Sequence, residues 1–240
     1  MMKSPAALGS NAALTGTLTA DEMLTVQAQF DHSVRHKVIG LTPSTTYYFQ
    51  FIAGDVRSNV GRFKTPPADG ADLSQLKLGV LSCQDWGINH WGALTALAGE
   101  NLDLVLHTGD YIYETIDAEF QQGTVESRHA PLRFPDGAFV SGAAGARYAV
   151  TLADYRYLYK KYRTDPRLQA VHERFAFAAI WDDHEFSDDC WRDAATYDNG
   201  SFFPGAGGDN THQPGRRRAA NRAWFEYMPA DVTHTESTVC

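Results

Sequence analysis

Three short segments carry side chains that bind metal ions or move protons: Ser82-Cys83-Gln84-Asp85, Gly109-Asp110-Tyr111-Ile112-Tyr113-Glu114 and Asp182-Asp183-His184-Glu185. Together they offer a thiolate, several carboxylates, a phenol and an imidazole. Such groups ligate metal cations, and imidazole is the usual acid–base group near neutral pH. Each residue also has a plainer reading. Cys83 at a strand end reads as a small buried hydrophobe. Asp110 after Gly109 reads as a turn former, Tyr113 as core, and residues 182–185 as a solvated acidic face or a helix N-terminus. The conjunction of the three, in this order, favours the chemical reading.

Each cluster follows an apolar run. Residues 76–82, 102–107 and 175–181 read as short buried strands, and residues 90–100 have helical character. Strand, helix, strand makes a βαβ unit. In an open α/β sheet, ligands sit beyond the carboxyl ends of the strands, so three such ends can converge on one site. Residues 115–150, rich in Gly, Ala and Pro, read as a long excursion. Residues 151–162 read as a helix, with Thr151-x-x-Asp154 as its capping box and Leu152, Tyr155, Tyr159 and Tyr162 on one apolar face. Residues 196–215 read as loop around Gly205-Ala206-Gly207-Gly208, and residues 216–227 as a helix stopped by Pro229. His107, inside a buried strand, reads as a core histidine with its hydrogen bonds satisfied.

The first 66 residues read differently. Runs rich in Val, Thr, Phe and Tyr at 12–19, 23–30, 34–41, 46–54 and 60–65, with turn signals between them, predict an all-β module. The stretch from Leu41 through Thr42-Pro43-Ser44 to Phe49 resembles a turn and strand of fibronectin type III modules. Five strands make only part of such a sandwich. Pro66-Pro67-Ala68-Asp69-Gly70 opens a linker. The organisation is therefore a partial β-sandwich at 1–66, a linker at 67–75 and an α/β part at 76–240.

Composition narrows the function classes. The chain has 240 residues, 43% hydrophobic and 21% charged, which is a globular mix. No apolar run is long enough to span a bilayer. The net charge is −8. Residues 1–66 carry +2 and residues 67–240 carry −10. That acidic part suits divalent cations better than a nucleic-acid backbone, and no specific nucleic-acid binding is evident. Three cysteines, Cys83, Cys190 and Cys240, argue against a complete disulfide framework. No signal peptide is visible at the start.

The three clusters in this order, with Arg216-Arg217 through Trp224-Phe225-Glu226-Tyr227-Met228-Pro229, resemble the PhoD-type alkaline phosphatases, members of the calcineurin-like metallophosphoesterase superfamily. The resemblance implies that the α/β part is the first half of a catalytic αββα sandwich. It implies a ferric ion held by Cys83, Asp110 and Tyr113, and a calcium ion sharing Asp110 with Asp183. Hard Fe(III) suits phenolate and carboxylate, and calcium takes oxygen ligands. It places Asp183 and His184 in the reaction, His184 donating a proton or stabilising developing charge. Glu114 and Asp182 are expected behind the ligands, and Arg217 there or at a substrate phosphate. The implied activity is hydrolysis of phosphate mono- and diesters by metal-bound hydroxide, in a periplasmic or secreted parent protein.

Later superfamily motifs that supply further ligands are missing after His184. The chain is therefore expected to be a fragment of a longer enzyme. The alternative is an inactive binding or pseudo-enzyme module beside the β module. A thiol-based enzyme using Cys83 is disfavoured, because Asp85 would raise the thiol pKa and no basic neighbour follows.

Overall fold

A computed structural model describes residues 2–15, 20–88, 91–117, 125–140, 145–195 and 211–235. The chain forms two compact units. The first contains residues 1–79, 94–106 and 166–178, and the second contains residues 80–93, 107–165 and 179–240.

In the first unit, strands β1 (Met2–Gly9), β2 (Ala20–Val26), β3 (Thr46–Ala53), β4 (Val56–Arg57) and β5 (Gly61–Lys64) form one antiparallel sheet, ordered β2-β1-β3-β4 with β5 also on β3. The run Thr46-Tyr47-Tyr48-Phe49 is aromatic and β-branched, and such side chains fit a pleated, half-buried surface. Tyr47 is buried and stacks on Phe63 at 5.9 Å, across the registered pair Tyr47↔Phe63. Gly61 lies under the Phe49 ring, where a Cβ would stand 2.4 Å from Cζ. Helix α3 (Pro166–Arg174) packs on β5.

One expected strand, at 34–41, is absent. Residues 34–41 carry no regular structure, and Ile39 in their midst is 80% exposed. Residues 12–15 carry a turn and no strand, while 16–19 lie outside the described residues. The first strand instead runs over Met2–Gly9, where no strand was expected. The expected strand 23–30 is half right, since residues Ala28–Phe30 form a 3-10 turn.

The βαβ expectation holds. Strand β6 (Leu78–Leu81), helix α1 (Gly92–Gly99), strand β7 (Leu104–His107) and strand β11 (Phe177–Ala179) give a three-stranded sheet ordered β11-β7-β6. Asp103 N–H donates to Lys77 O and Thr108 N–H to Leu81 O. Likewise Val105 N–H donates to Ala176 O, and Ile180 N–H to His107 O. Along each pair the bonded residues of both strands rise in number together, 77 to 81 with 103 to 108 and 105 to 107 with 176 to 180, so the three strands run parallel. The excursion over 115–150 contains a small sheet of β8 (Thr115–Ile116), β9 (Ala138–Phe139) and β10 (Arg147–Tyr148).

Helix α2 (Leu152–Tyr162) starts as expected. Thr151 Oγ1 accepts the Asp154 N–H at 3.2 Å, and Asp154 Oδ2 accepts the Thr151 N–H at 3.1 Å. Tyr155, Leu158, Tyr159 and Tyr162 are fully buried along it. It packs on α4 (Pro214–Tyr227), where Tyr159 and Tyr227 stack at 5.5 Å and Arg156 grips Glu226 at 2.6 and 2.7 Å. A short ladder of β12 (Ala194–Ala195) and β13 (Thr211–His212) precedes α4. The glycine-rich centre of the expected loop, Gly205 to Gly208, lies outside the described residues. Among the described residues, no helix is long and apolar enough to cross a membrane. Cys83 and Cys190 are free thiols, and Cys240 lies outside the described residues.

Candidate metal centre

The three clusters meet in the second unit, each just past the end of a sheet strand. Backbone bonds join the first two: Cys83 N–H donates to Gly109 O at 3.3 Å and Gln84 N–H to Asp110 O at 3.1 Å. The Gln84 amide adds a bond to Tyr111 O at 2.9 Å. Glu185 joins the second cluster to the third. Its buried carboxylate accepts the N–H groups of Asp110 at 2.9 Å, Tyr111 at 2.6 Å and Asp182 at 2.7 Å. Two residues without glycine's freedom sit in the left-handed region, Cys83 at φ 53° and Asp110 at φ 56°. Such backbone persists only where its surroundings over-determine it. Gly109, at φ +112°, is obligatory: a Cβ there would lie 2.4 Å from Asp182 Cβ.

Asp110 is the hub. Its Oδ2 lies 3.3 Å from Cys83 Sγ and 3.5 Å from the Tyr113 hydroxyl. Its Oδ1 is buried and has no hydrogen-bond partner among the described residues. A carboxylate oxygen stripped of water and of donors costs free energy unless a cation meets it. Asp110, Asp182 and Asp183 offer oxygens within 4.8 Å of one another, and so do ligand atoms of Asp183, His184 and Asp188. These acidic groups could hold a metal ion, and their chemistry fits one.

Electrostatics fit the same picture. Burial pushes the Asp110 carboxyl up against the opposing pull of His184, and burial likewise raises Asp85. Burial, then the charges of Asp110 and Cys83, hold the Tyr113 phenol far above its ordinary value. Only a strong local positive charge would ionise it. Burial also raises the Cys83 thiol, helped by Asp110 rather than by the neighbouring Asp85 that the sequence suggested. Burial alone would lower His184, but the Glu114 carboxylate outweighs it and raises the imidazole to about 10.

His184 is fixed on both sides. Its Nδ1 lies 2.8 Å from Glu114 Oε2 and its Nε2 3.4 Å from Asp188 Oδ1. Glu114 is fully buried and its other oxygen accepts the Asp188 N–H at 2.7 Å. The Tyr113 and His184 rings stack at 4.0 Å. The structure thus brings together Cys83, Asp110, Tyr113, Glu114, Asp182, Asp183 and His184.

Two of the arginines at the start of α4 are buried. Arg216 and Arg217 are 6% and 7% exposed. Arg216 donates from Nε to Ala149 O at 2.7 Å and to Tyr155 Oη at 3.0 Å, so it serves the core. Arg217 lies over the Phe186 ring at 5.0 Å and 3.8 Å from Cys190 Sγ, with its Nε unpaired. Arg222 pairs with Glu226 at 3.1 Å. The sequence placed Glu185 in the third cluster without a role of its own and Tyr162 only on the apolar face of a helix; the structure makes Glu185 the acceptor that joins the second and third clusters, and the Tyr162 hydroxyl accepts the Tyr113 N–H.

The profile of the PhoD-like phosphatase family matches residues 78–239, and that of the PhoD-like phosphatase N-terminal domain matches residues 7–67. Alkaline phosphatase D of Bacillus subtilis (strain 168) is 35% identical over 202 residues, covering 84% of this chain and 31% of the relative. A solved structure of PhoD superposes with a TM-score of 0.74 at 27% identity, covering 96% of this chain and 40% of that one. The chain thus spans about a third of the curated relative and two fifths of the solved one.

Proposed function

We propose that this chain, which belongs to the PhoD-like phosphatase family, supplies the metal-binding front part of an enzyme that hydrolyses phosphate mono- and diesters. The carrying observation is Asp110: one oxygen faces both the Cys83 thiol and the Tyr113 phenol, and the other is buried without a partner. Cys83, Asp110 and Tyr113 would hold a ferric ion, and Asp110 with Asp183 a calcium ion, Asp182 standing close enough to assist. Ions held there would supply Lewis acidity toward a phosphoester and would lower the pKa of an attacking water.

The chain's own residues do the rest. Glu185 and Gln84 hold the ligand loops in register. Glu114 orients His184 and favours its protonated form. His184 then carries a proton at its ring for the departing alkoxide, or stabilises the charge that develops on phosphate.

The finer fold reading is a fibronectin III-like β module over 1–66, a linker over 67–75 and the first half of a metallophosphoesterase sandwich over 76–240. Supporting it, Tyr47 Oη accepts the Thr42 N–H at 3.0 Å, a tyrosine reaching back upstream as in the corner of such sandwiches. A periplasmic or secreted site for the parent enzyme rests on family likeness alone, and cell fractionation tests it.

The test of the activity uses the parent enzyme that contains this chain. Asp110→Asn is expected to lower kcat/KM on bis-p-nitrophenyl phosphate by about a thousandfold, the scale seen when a transition-state contact is lost. A chelator is expected to abolish turnover, with calcium and iron restoring it. Unchanged turnover by the Asn variant overturns the reading.

A further inference from the structure

We infer that Tyr162 is a positioning residue for the metal ligands: its hydroxyl fastens the backbone after Cys83 to the backbone of Tyr113. This rests on the metal-site reading above. The Tyr162 hydroxyl accepts two backbone N–H groups, from Trp86 at 3.1 Å and from Tyr113 at 3.1 Å. One belongs to the segment following the first cluster and the other to the second. Tyr162 is fully buried and so is its bond to the Trp86 N–H, a backbone donor that would otherwise need another partner.

Both segments need such a restraint. Cys83 and Asp110 hold left-handed backbone, which persists only where its surroundings over-determine it. The three donor groups of the site come from Cys83, Asp110 and Tyr113, so relative slippage of the two segments by a fraction of an ångström would spread them.

The hydroxyl also comes from a rigid mount. Tyr162 ends a helix whose first turn is closed by a capping box. Its ring packs at 5.5 Å against both Trp86 and Trp91. Trp86 is held from its other backbone group as well, because His129 Nδ1 lies 2.6 Å from Trp86 O while Nε2 lies 2.7 Å from Asp165 Oδ2. The His129 ring stacks on the Trp86 indole at 3.6 Å. Trp86 is thereby a fixed anchor, and Tyr162 transmits that fixity to Tyr113. The remaining bonds between the first two clusters run to Gly109, Asp110 and Tyr111. Tyr162 holds the end of the segment that carries the phenol.

The test is Tyr162→Phe in the parent enzyme, with Tyr157→Phe as its control. Tyr157 lies on the same helix and its hydroxyl accepts the Arg133 N–H at 2.8 Å, away from the ligands. Affinity for calcium and for ferric iron is measured by competition with a chelator, beside kcat, KM and the melting temperature. Tyr162→Phe is expected to weaken metal affinity about 10- to 100-fold, the range for residues that orient ligands. It is expected to lower kcat with little change in KM. Tyr157→Phe is expected to leave affinity and kcat unchanged while moving the melting temperature similarly.

Equal affinity and kcat in wild type and Tyr162→Phe overturn the inference, as do equal losses in the two variants. If the wild type itself binds neither metal, the metal-site reading fails first and takes this one with it. Amide hydrogen exchange on the wild type is independent of any variant. The Trp86 and Tyr113 amides are expected to be strongly and equally protected, and rapid exchange at either overturns the inference.

Discussion

His107 sits in the middle of the parallel sheet with 1% of its surface exposed, against Tyr111 at 5.1 Å. Among the described residues neither of its ring nitrogens has a hydrogen-bond partner, contrary to the expectation of a satisfied core histidine. Burial lowers its pKa to about 4. The unfolded chain binds that proton from about 6.5 downward, the folded chain only near 4. Stability from this group is therefore complete above about 6.5 and is lost as pH falls through 4. Full loss amounts to about 3 kcal/mol, since each tenfold change in proton affinity is worth about 1.4 kcal/mol. His107→Leu should flatten the fall in melting temperature between pH 6.5 and 4, and an unchanged slope would count against the assignment. The residues of the site were legible by type, because thiol, carboxylate and phenol at neighbouring strand ends have few joint uses. Burial was not legible: nothing in the sequence marked Arg216 and Arg217, among four neighbouring arginines, for the interior.

At the scale of the element, local signals succeeded where chemistry acts over a few residues. The Thr151–Asp154 box is one case. Asp154 does more than cap, since its two oxygens accept N–H groups from Asp136, Gly137, Val150 and Thr151. Thr151→Ala should therefore cost about 1 kcal/mol, the usual worth of a cap. Asp154→Ala should cost more, about 3 kcal/mol, by stranding buried donors. Chemical denaturation measures both, and equal losses would show that the excursion does not depend on Asp154. Helix α3 was missed although Asp165-Pro166 is a helix-start signal, the proline occupying the first helical position. Strand propensity failed at residues 34–41. Val and Ile there found no neighbouring strand, and β-propensity stabilises little without a partner to pack and pair with.

At the scale of the whole molecule, charge is the governing quantity. The chain carries −8, and four of its acidic groups, Asp110, Asp182, Asp183 and Asp188, gather at the candidate metal centre. Mutual repulsion there opposes folding, and a bound cation relieves it. Calcium with ferric iron should raise the melting temperature of the parent enzyme, by an increment that grows with the logarithm of metal concentration, and excess chelator should reverse it. A melting temperature indifferent to both would argue that the acidic centre binds no cation. The sequence by itself determined which groups were available, that parallel strands would end beside them, and that a β module would precede them. These follow from residue type, hydrophobic period and turn chemistry, all local properties. Only the tertiary structure decided which oxygen of Asp110 would face the thiol and phenol, which would be left bare, and which buried acceptors would hold the loops. Those depend on side chains far apart in sequence, such as Tyr162 reaching Tyr113 and Glu185 reaching Asp110, which only the folded chain brings within hydrogen-bond distance.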